Sequence, residues 1–265
     1  MSIYNPCAVY GRMPMCAHFA IIVCINCPLK MIMSTIAQNL QAVDASILAA
    51  ASAAGRAREA IGLLAVSKTF PPEAVLEAIA AGQHAFGENY LQEALDKMTA
   101  VSRAVPAQEI AWHFIGPIQS NKTRPIAQHF DWVHTVERLK IAQRLSEQRP
   151  EDKAPLNICL QVNISGEASK SGAAPEELEA LAQAVAQLPR LRLRGLMAIP
   201  EPETEFDRQR AAFHRLRNLF EGLNAKGMEM DTLSMGMSSD LQAAIAEGAT
   251  IVRVGSAIFG SRHYE

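Results

Sequence analysis

The chain has 265 residues, 49% of them hydrophobic and 20% charged, with a formal net charge of −2. That balance excludes wholesale disorder and collagen-like or low-complexity classes, and the near-neutral charge offers no basic field for nucleic acid or anionic lipid. The averages hide an asymmetry: no Asp or Glu precedes Asp44, and Cys7, Cys16, Cys24 and Cys27 leave only Cys159 for the rest of the chain.

The first 32 residues carry two charged side chains, Arg12 and Lys30. Their apolar run at 17–29 is interrupted by Asn26 and falls short of the ~20 residues that span a bilayer. Arg12 stands too late for the basic start of a signal peptide, and no small-residue cleavage site follows the run. Cys24 and Cys27 form a C-x-x-C, but a zinc site needs a second pair of ligands and a redox site a strand-then-helix setting. Residues 1–32 are expected to be a disordered extension outside the fold, with the working domain at 33–265.

From Ser34, which reads as an N-cap, Ile36, Leu40, Val43 and Ile47 recur at helical spacing until Gly55. Residues 61–66 form a short apolar strand. Pro71 and Pro72 then open a helix that carries Val75, Leu76 and Ile79 and stops at Gly82. A strand at 84–86 precedes a helix with Leu91, Leu95 and Met98. Strands at 112–115 and 132–135 are each followed by a helix, at 119–129 and 137–148. The clearest strand, 156–164, leads into a Gly/Ser-rich loop at 165–172 and a helix at 175–188. The pattern continues with a strand at 193–197, a helix at 206–223 and a strand at 232–235. A helix capped by Ser238 and ended by Gly248 then leads to the last strand, 250–254. Strict strand–helix alternation implies parallel strands covered by helices. Eight such units in about 200 residues fit a single-domain (β/α)8 barrel. A doubly wound sheet is the alternative, and no G-x-G-x-x-G after the first strand supports its dinucleotide-binding form.

In such a barrel the site lies at the C-terminal ends of the strands. Lys68 ends the first strand there, where its amine reaches the barrel mouth and can form an imine with a carbonyl; the ordinary reading is a solvated lysine past a strand end. The loops after strands seven and eight read S-M-G-M-S-S from Ser234 and G-S-A from Gly255. Backbone N–H groups, glycines and hydroxyls at those two strands suit a phosphate, although ordinary caps and turns use the same residues. Arg253 faces opposite to Val252 and Val254, so inside the barrel it needs a carboxylate or a ligand atom such as a pyridine nitrogen. Taken together, an imine lysine, a phosphate cup and an arginine describe pyridoxal 5′-phosphate.

Several strings carry a resemblance: LLAVSKTFPPEAVLEAIAAGQHAFGENYLQEALDKM, WHFIGPIQSNKTR, LQVNISGEASKSG, LRGLMAIP, LSMGMSSDLQAAIAEGATIVRVGSAIFG and SRHYE. From about Ser34 to Glu265 the chain resembles the pyridoxal phosphate homeostasis proteins, the YggS/PROSC family. The resemblance implies the barrel of the alanine racemase N-terminal domain, fold type III among pyridoxal phosphate proteins, without a C-terminal β domain. It implies Lys68 as the imine lysine, Asn89 near the ring and Arg253 at the pyridine nitrogen. Ser234, Gly255 and Ser256 are implied as phosphate ligands. Lys170 matches a family lysine linked to a second vitamer or to transfer, and His113, at a strand end, is either a ligand contact or a histidine satisfied by its neighbours.

Racemization on this scaffold needs a second base, usually a tyrosine from a further domain. The sequence read here ends just after the barrel, and its tyrosines are Tyr4, Tyr10, Tyr90 and Tyr264. The expected function is therefore non-catalytic: holding pyridoxal phosphate for intracellular vitamin B6 homeostasis, with no catalytic residue and no metal. A racemase or related pyridoxal phosphate enzyme is the alternative, and a cofactor-free lysine aldolase a third reading. Other B6 vitamers and pyridoxal phosphate-dependent apoenzymes are the expected partners, with no nucleic acid or membrane, in a cytoplasmic monomer or weak dimer.

Overall fold

The computed structural model describes residues 35–166 and 171–261. These belong to the second of the two units into which the chain divides, residues 33–265. Ser34, the leader at 1–32 with its C-x-x-C, Lys170 and the four closing residues lie outside the described residues.

Eight parallel strands close into a barrel in sequence order. They are β1 (Gly62–Val66), β2 (Ala85–Glu88), β3 (Ala111–Phe114), β4 (Trp132–Val136), β5 (Leu156–Gln161), β6 (Leu191–Met197), β7 (Thr232–Ser234) and β8 (Ile251–Val254). β1 pairs with both β2 and β8, which completes the ring. The covering helices are α2 (Pro72–Ala80), α3 (Leu91–Ala104), α4 (Thr123–His129), α5 (Leu139–Gln148), α6 (Leu178–Ala186), α7 (Phe206–Ala225) and α8 (Leu241–Ala246), with α1 (Thr35–Ala53) ahead of the barrel and α9 (Ser256–Phe259) after it.

The helix faces follow the apolar spacing. Ile36, Leu40, Val43 and Ile47 of α1 are buried, and α1 packs against α2, α8 and α9. Because strands of a covered parallel sheet are buried on both faces, runs such as Leu64-Ala65-Val66 are continuously apolar. Gly195 on β6 lies so close to β7 that a Cβ there would fall on the Thr232 carbonyl, so only glycine permits that pairing.

Several boundaries differ from the sequence reading. Strand β5 stops at Gln161, and Val162 makes only an isolated bridge to Ala173. The helix expected at 119–129 starts as a 3-10 turn at Ser120–Lys122. The residue preceding α8 is Asp240, not Ser238; Asp240 Oδ1 instead accepts the Met237 N–H and folds the loop back. The presumed turn after β8 is the short helix α9.

Candidate functional site

The C-terminal ends of β1, β2, β6, β7 and β8 surround a cleft of about 350 Å³. Its walls are apolar, from Val66, Ile115, Met197 and Ile199, and its polar groups are Lys68, Asn89, Arg253, Ser238, Ser239 and Ser256, with Gly255 backbone between them. The sequence-predicted residues Lys68, Asn89, Arg253, Gly255 and Ser256 are thus brought together.

Lys68 stands two residues past β1 and is half-buried. Thr69 after it has φ 68°, the left-handed region that β-branched residues avoid. Thr69 is held there by its N–H, which donates to Glu93 Oε1 at 2.6 Å. Ser67 before it is fully buried, and its hydroxyl donates to Glu88 Oε1 at 2.7 Å. Burial raises the Glu88 carboxyl above its usual range against the pull of Lys97.

Asn89 follows β2 directly. Its Oδ1 is buried without a hydrogen-bond partner in the protein, and an unmet acceptor of this kind is costly unless a ligand or solvent donor completes it. Its backbone is pressed against Gly116, where a Cβ would stand 2.2 Å from the Asn89 carbonyl oxygen.

Arg253 points into the barrel, as strand alternation requires. Nη1 donates to the Ser234 carbonyl at 2.6 Å and the Ser234 hydroxyl at 2.9 Å, and Nη2 donates to the Ala198 carbonyl at 3.0 Å. Burial lowers this guanidinium to about 10, opposed by the Asp240 carboxylate, so it stays cationic at neutral pH. The loop after β7 is shaped by Gly236, at φ 92°, where a side chain would strike the Ala244 methyl group at 2.5 Å. Its carbonyl accepts the Arg253 N–H, which leaves Ser238 and Ser239 facing the cleft.

Two expected residues are placed elsewhere. Ser234 is fully buried, and its hydroxyl lies between Arg253 and His134 rather than on the cleft. The nearby hydroxyls on the cleft wall are those of Ser238, Ser239 and Ser256. His113 is buried inside the barrel, stacked on Trp132 with ring centroids 5.3 Å apart, and its Nδ1 lies 2.9 Å from His134 Nε2. It too is absent from the cleft wall, because β3 turns it inward below the mouth. Lys170 lies outside the described residues; Ser171 after it lines an adjoining cleft of about 380 Å³ that shares Asn89, Ile115 and Ile199 with the first.

Sequence reasoning missed His134, Lys97 and Glu88. The signal for Glu88 was its position beside Asn89 at a strand end. Lys97 sits in LQEALDKM, where it reads as the solvated partner of Glu93. Among the described residues no group of three His, Cys, Asp or Glu is placed to hold a metal ion.

A parallel barrel with a lysine past its first strand and an inward arginine on its last defines a barrel of the alanine racemase N-terminal type. Residues 38–263 match the family model described as "Alanine racemase, N-terminal domain". The chain is 66% identical to a pyridoxal phosphate homeostasis protein of Pseudomonas aeruginosa over 88% of its own length and 98% of that protein. It is 55% identical to the one from Escherichia coli K12, over 88% of its own length and 99% of the other. The structure of PipY from Synechococcus elongatus, solved with PLP bound, is similar at a TM-score of 0.74 and 35% identity, covering 85% of this chain and all of that one. The chain belongs to the pyridoxal phosphate homeostasis protein family, known also as YggS/PROSC.

Proposed function

We propose that this chain binds pyridoxal 5′-phosphate covalently through Lys68 and serves its homeostasis without turning over a substrate. The observation that carries the reading is the convergence of Lys68, the buried cation Arg253 and the serine loops on one cleft. The fit is chemical. Apolar walls suit a flat ring, Arg253 can only donate and so suits an unprotonated ring nitrogen, and Ser238, Ser239, Ser256 and the Gly255 backbone suit a phosphate. The unmet Asn89 Oδ1 suits a donor on the ring edge. PLP bound in PipY and the names of the relatives support the same ligand.

Bound there, the cofactor would supply an aldehyde, the group with which the Lys68 amine would be linked. The protein's own part is to present that amine, hold the anion and keep a positive charge opposite the ring nitrogen. Among the described residues no tyrosine lines the cleft to serve as the second base that racemization requires. The cytosol is the proposed location. Among the described residues no helix is long and apolar enough to cross a membrane, and the Cys159 thiol is buried, its pKa raised to about 12. Other B6 vitamers and apoenzymes as recipients belong to this proposal.

The test is a visible spectrum of the purified protein before and after borohydride, with peptide mapping of the reduced lysine. An absorbing adduct mapped to Lys68 and lost in Lys68→Ala is expected. A full reducible adduct on another lysine would overturn the assignment. Solvent deuterium entering the α-carbon of amino acids at enzymatic rates would overturn the non-catalytic reading.

A further inference from the structure

Lys97 belongs to α3 and does not line the cleft, yet its side chain is only 2% exposed. Lysine goes inside only when paired, and this one is completely paired. Nζ donates to Glu88 Oε1 at 2.6 Å, to the Ser67 carbonyl at 2.7 Å and to Glu93 Oε1 at 2.9 Å. An ammonium has three N–H groups, and each has an acceptor here.

These acceptors converge on one place. Ser67, whose carbonyl Lys97 holds, is the residue before Lys68, and its hydroxyl is bound to Glu88. Thr69 is the residue after Lys68, and its N–H is bound to Glu93. Thus Lys97 holds the backbone before Lys68, Glu93 holds the backbone after it, and Glu88 binds both Lys97 and the Ser67 hydroxyl. Thr69 is meanwhile held in a left-handed conformation that a residue with a Cβ disfavours. A buried ion cluster is a poor route to stability, because desolvation offsets much of the attraction. Fixing the direction in which one side chain leaves the strand is a task for which such a cluster is suited.

We propose that Glu88, Glu93 and Lys97 are positioning residues for Lys68, fixing through Ser67 and Thr69 the course of its amine into the cleft. None of the three lines the cleft. The inference rests on the reading of Lys68 given above, and its test has one arm that does not depend on it.

In cofactor-free protein, the rate at which trinitrobenzenesulfonate labels Lys68 is measured by peptide mapping, with exposed Lys226 as the internal reference. In the second arm, pyridoxal phosphate is added and formation of the absorbing adduct is timed. Glu93→Ala and Lys97→Met are expected to raise Lys68 labelling relative to Lys226, because the amine is loosened. They are expected to slow adduct formation about tenfold to a hundredfold, the scale of a misplacement near 1 Å. General loosening would raise labelling without this selective effect on loading. Glu93→Gln, which keeps an acceptor for Thr69, is expected to restore most of the loading rate. Thr69→Gly added to Glu93→Ala is expected to restore part of it, because glycine adopts the left-handed turn unaided. Wild-type labelling and loading in folded Glu93→Ala would overturn the proposal. Glu93 is one-third exposed, so that variant carries the test if Lys97→Met does not fold. If wild-type protein forms no adduct at all, the proposed function fails while the labelling arm still decides the positioning role.

Discussion

His134 Nδ1 lies 2.8 Å from Ser234 Oγ, and this contact sets the protonation of a chain of groups inside the barrel. Arg253 already donates to the same hydroxyl, so the Ser234 proton is available to His134 Nδ1. His134 then carries its proton on Nε2 and donates it to His113 Nδ1 at 2.9 Å. Burial favours the neutral form of both imidazoles, and this arrangement of protons satisfies both contacts. Burial pushes His113 down to about 3 and His134 well below its usual range; two neighbouring imidazolium rings would repel each other, and the Arg253 charge adds to the shift of His134.

The two histidines fix the sign of an acid effect on stability. In the unfolded chain each takes up a proton below about pH 6.5, whereas the native barrel refuses it. Their contribution is therefore flat above that pH. It falls by up to about 1.4 kcal/mol per pH unit for each histidine as the pH drops from 6.5 toward 3. Urea unfolding at pH 7.5, 6.5 and 5.5 is expected to show little change in the first interval and a clear loss in the second. His113→Gln is expected to remove about half of that slope; an unchanged slope in His113→Gln/His134→Gln would count against the neutral pair.

Arg253 is as much a tie between strands as a candidate ligand group. Its guanidinium joins β8 to the end of β7 through Ser234 and to the residue after β6 through the Ala198 carbonyl. Arg253→Met would strip the Ala198 carbonyl and the Ser234 hydroxyl of this donor and leave the Ser234 carbonyl only the long bond from the Ala198 N–H at 3.4 Å, at a cost of about 3 kcal/mol. Urea unfolding at neutral pH is expected to show that loss even without cofactor. Arg253→Lys is expected to recover only part of it, since one ammonium cannot copy the planar fork.

Gly116 links packing to the site. A methyl group there would stand 2.2 Å from the Asn89 carbonyl oxygen, and the Gly116 carbonyl is pinned by the Thr135 hydroxyl at 2.6 Å. Gly116→Ala must therefore push the β2 end, with Asn89, out of place. Overpacking of this kind costs about 1–3 kcal/mol. Thermal unfolding of cofactor-free protein should register that cost, and titration with pyridoxal phosphate should show weaker binding. An unchanged affinity would show that the Asn89 position does not matter to the ligand.

The barrel was legible because alternation of apolar strands with 3.6-period helices leaves few architectures, and Lys68 and Arg253 were legible because strand ends and strand parity locate them. Lys97 was not: its i,i+4 spacing from Glu93 is that of a solvated pair, and only the fold that brings it against Ser67 and Glu88 puts it inside. Ser234 lies off the cleft wall for a related reason. It ends β7, and strand parity turns its hydroxyl inward to Arg253 and His134, a long-range relation that neighbouring letters do not encode. Ser238 reads as a helix cap, a role that the Asp240 bond to the Met237 N–H displaces.

This displacement makes the phosphate assignment testable hydroxyl by hydroxyl. Ser239 and Ser256 stand on the cleft wall from the loops after β7 and β8, whereas Ser234 lies behind it. To separate anion binding from the covalent link, the variants are made in a Lys68→Ala background and noncovalent pyridoxal phosphate is measured by equilibrium dialysis. A hydrogen bond to a charged group contributes about 1.5–3 kcal/mol, so Ser239→Ala and Ser256→Ala are each expected to weaken binding about tenfold or more. Pyridoxal without its phosphate should bind these variants and their parent alike, because only the anion uses those hydroxyls. Ser234→Ala is expected to act differently. It removes an acceptor of Arg253 and the donor to His134, and so should lower stability and affect both ligands together. If Ser239→Ala and Ser256→Ala left phosphate discrimination intact while Ser234→Ala abolished it, the cup would lie deeper than the cleft geometry places it.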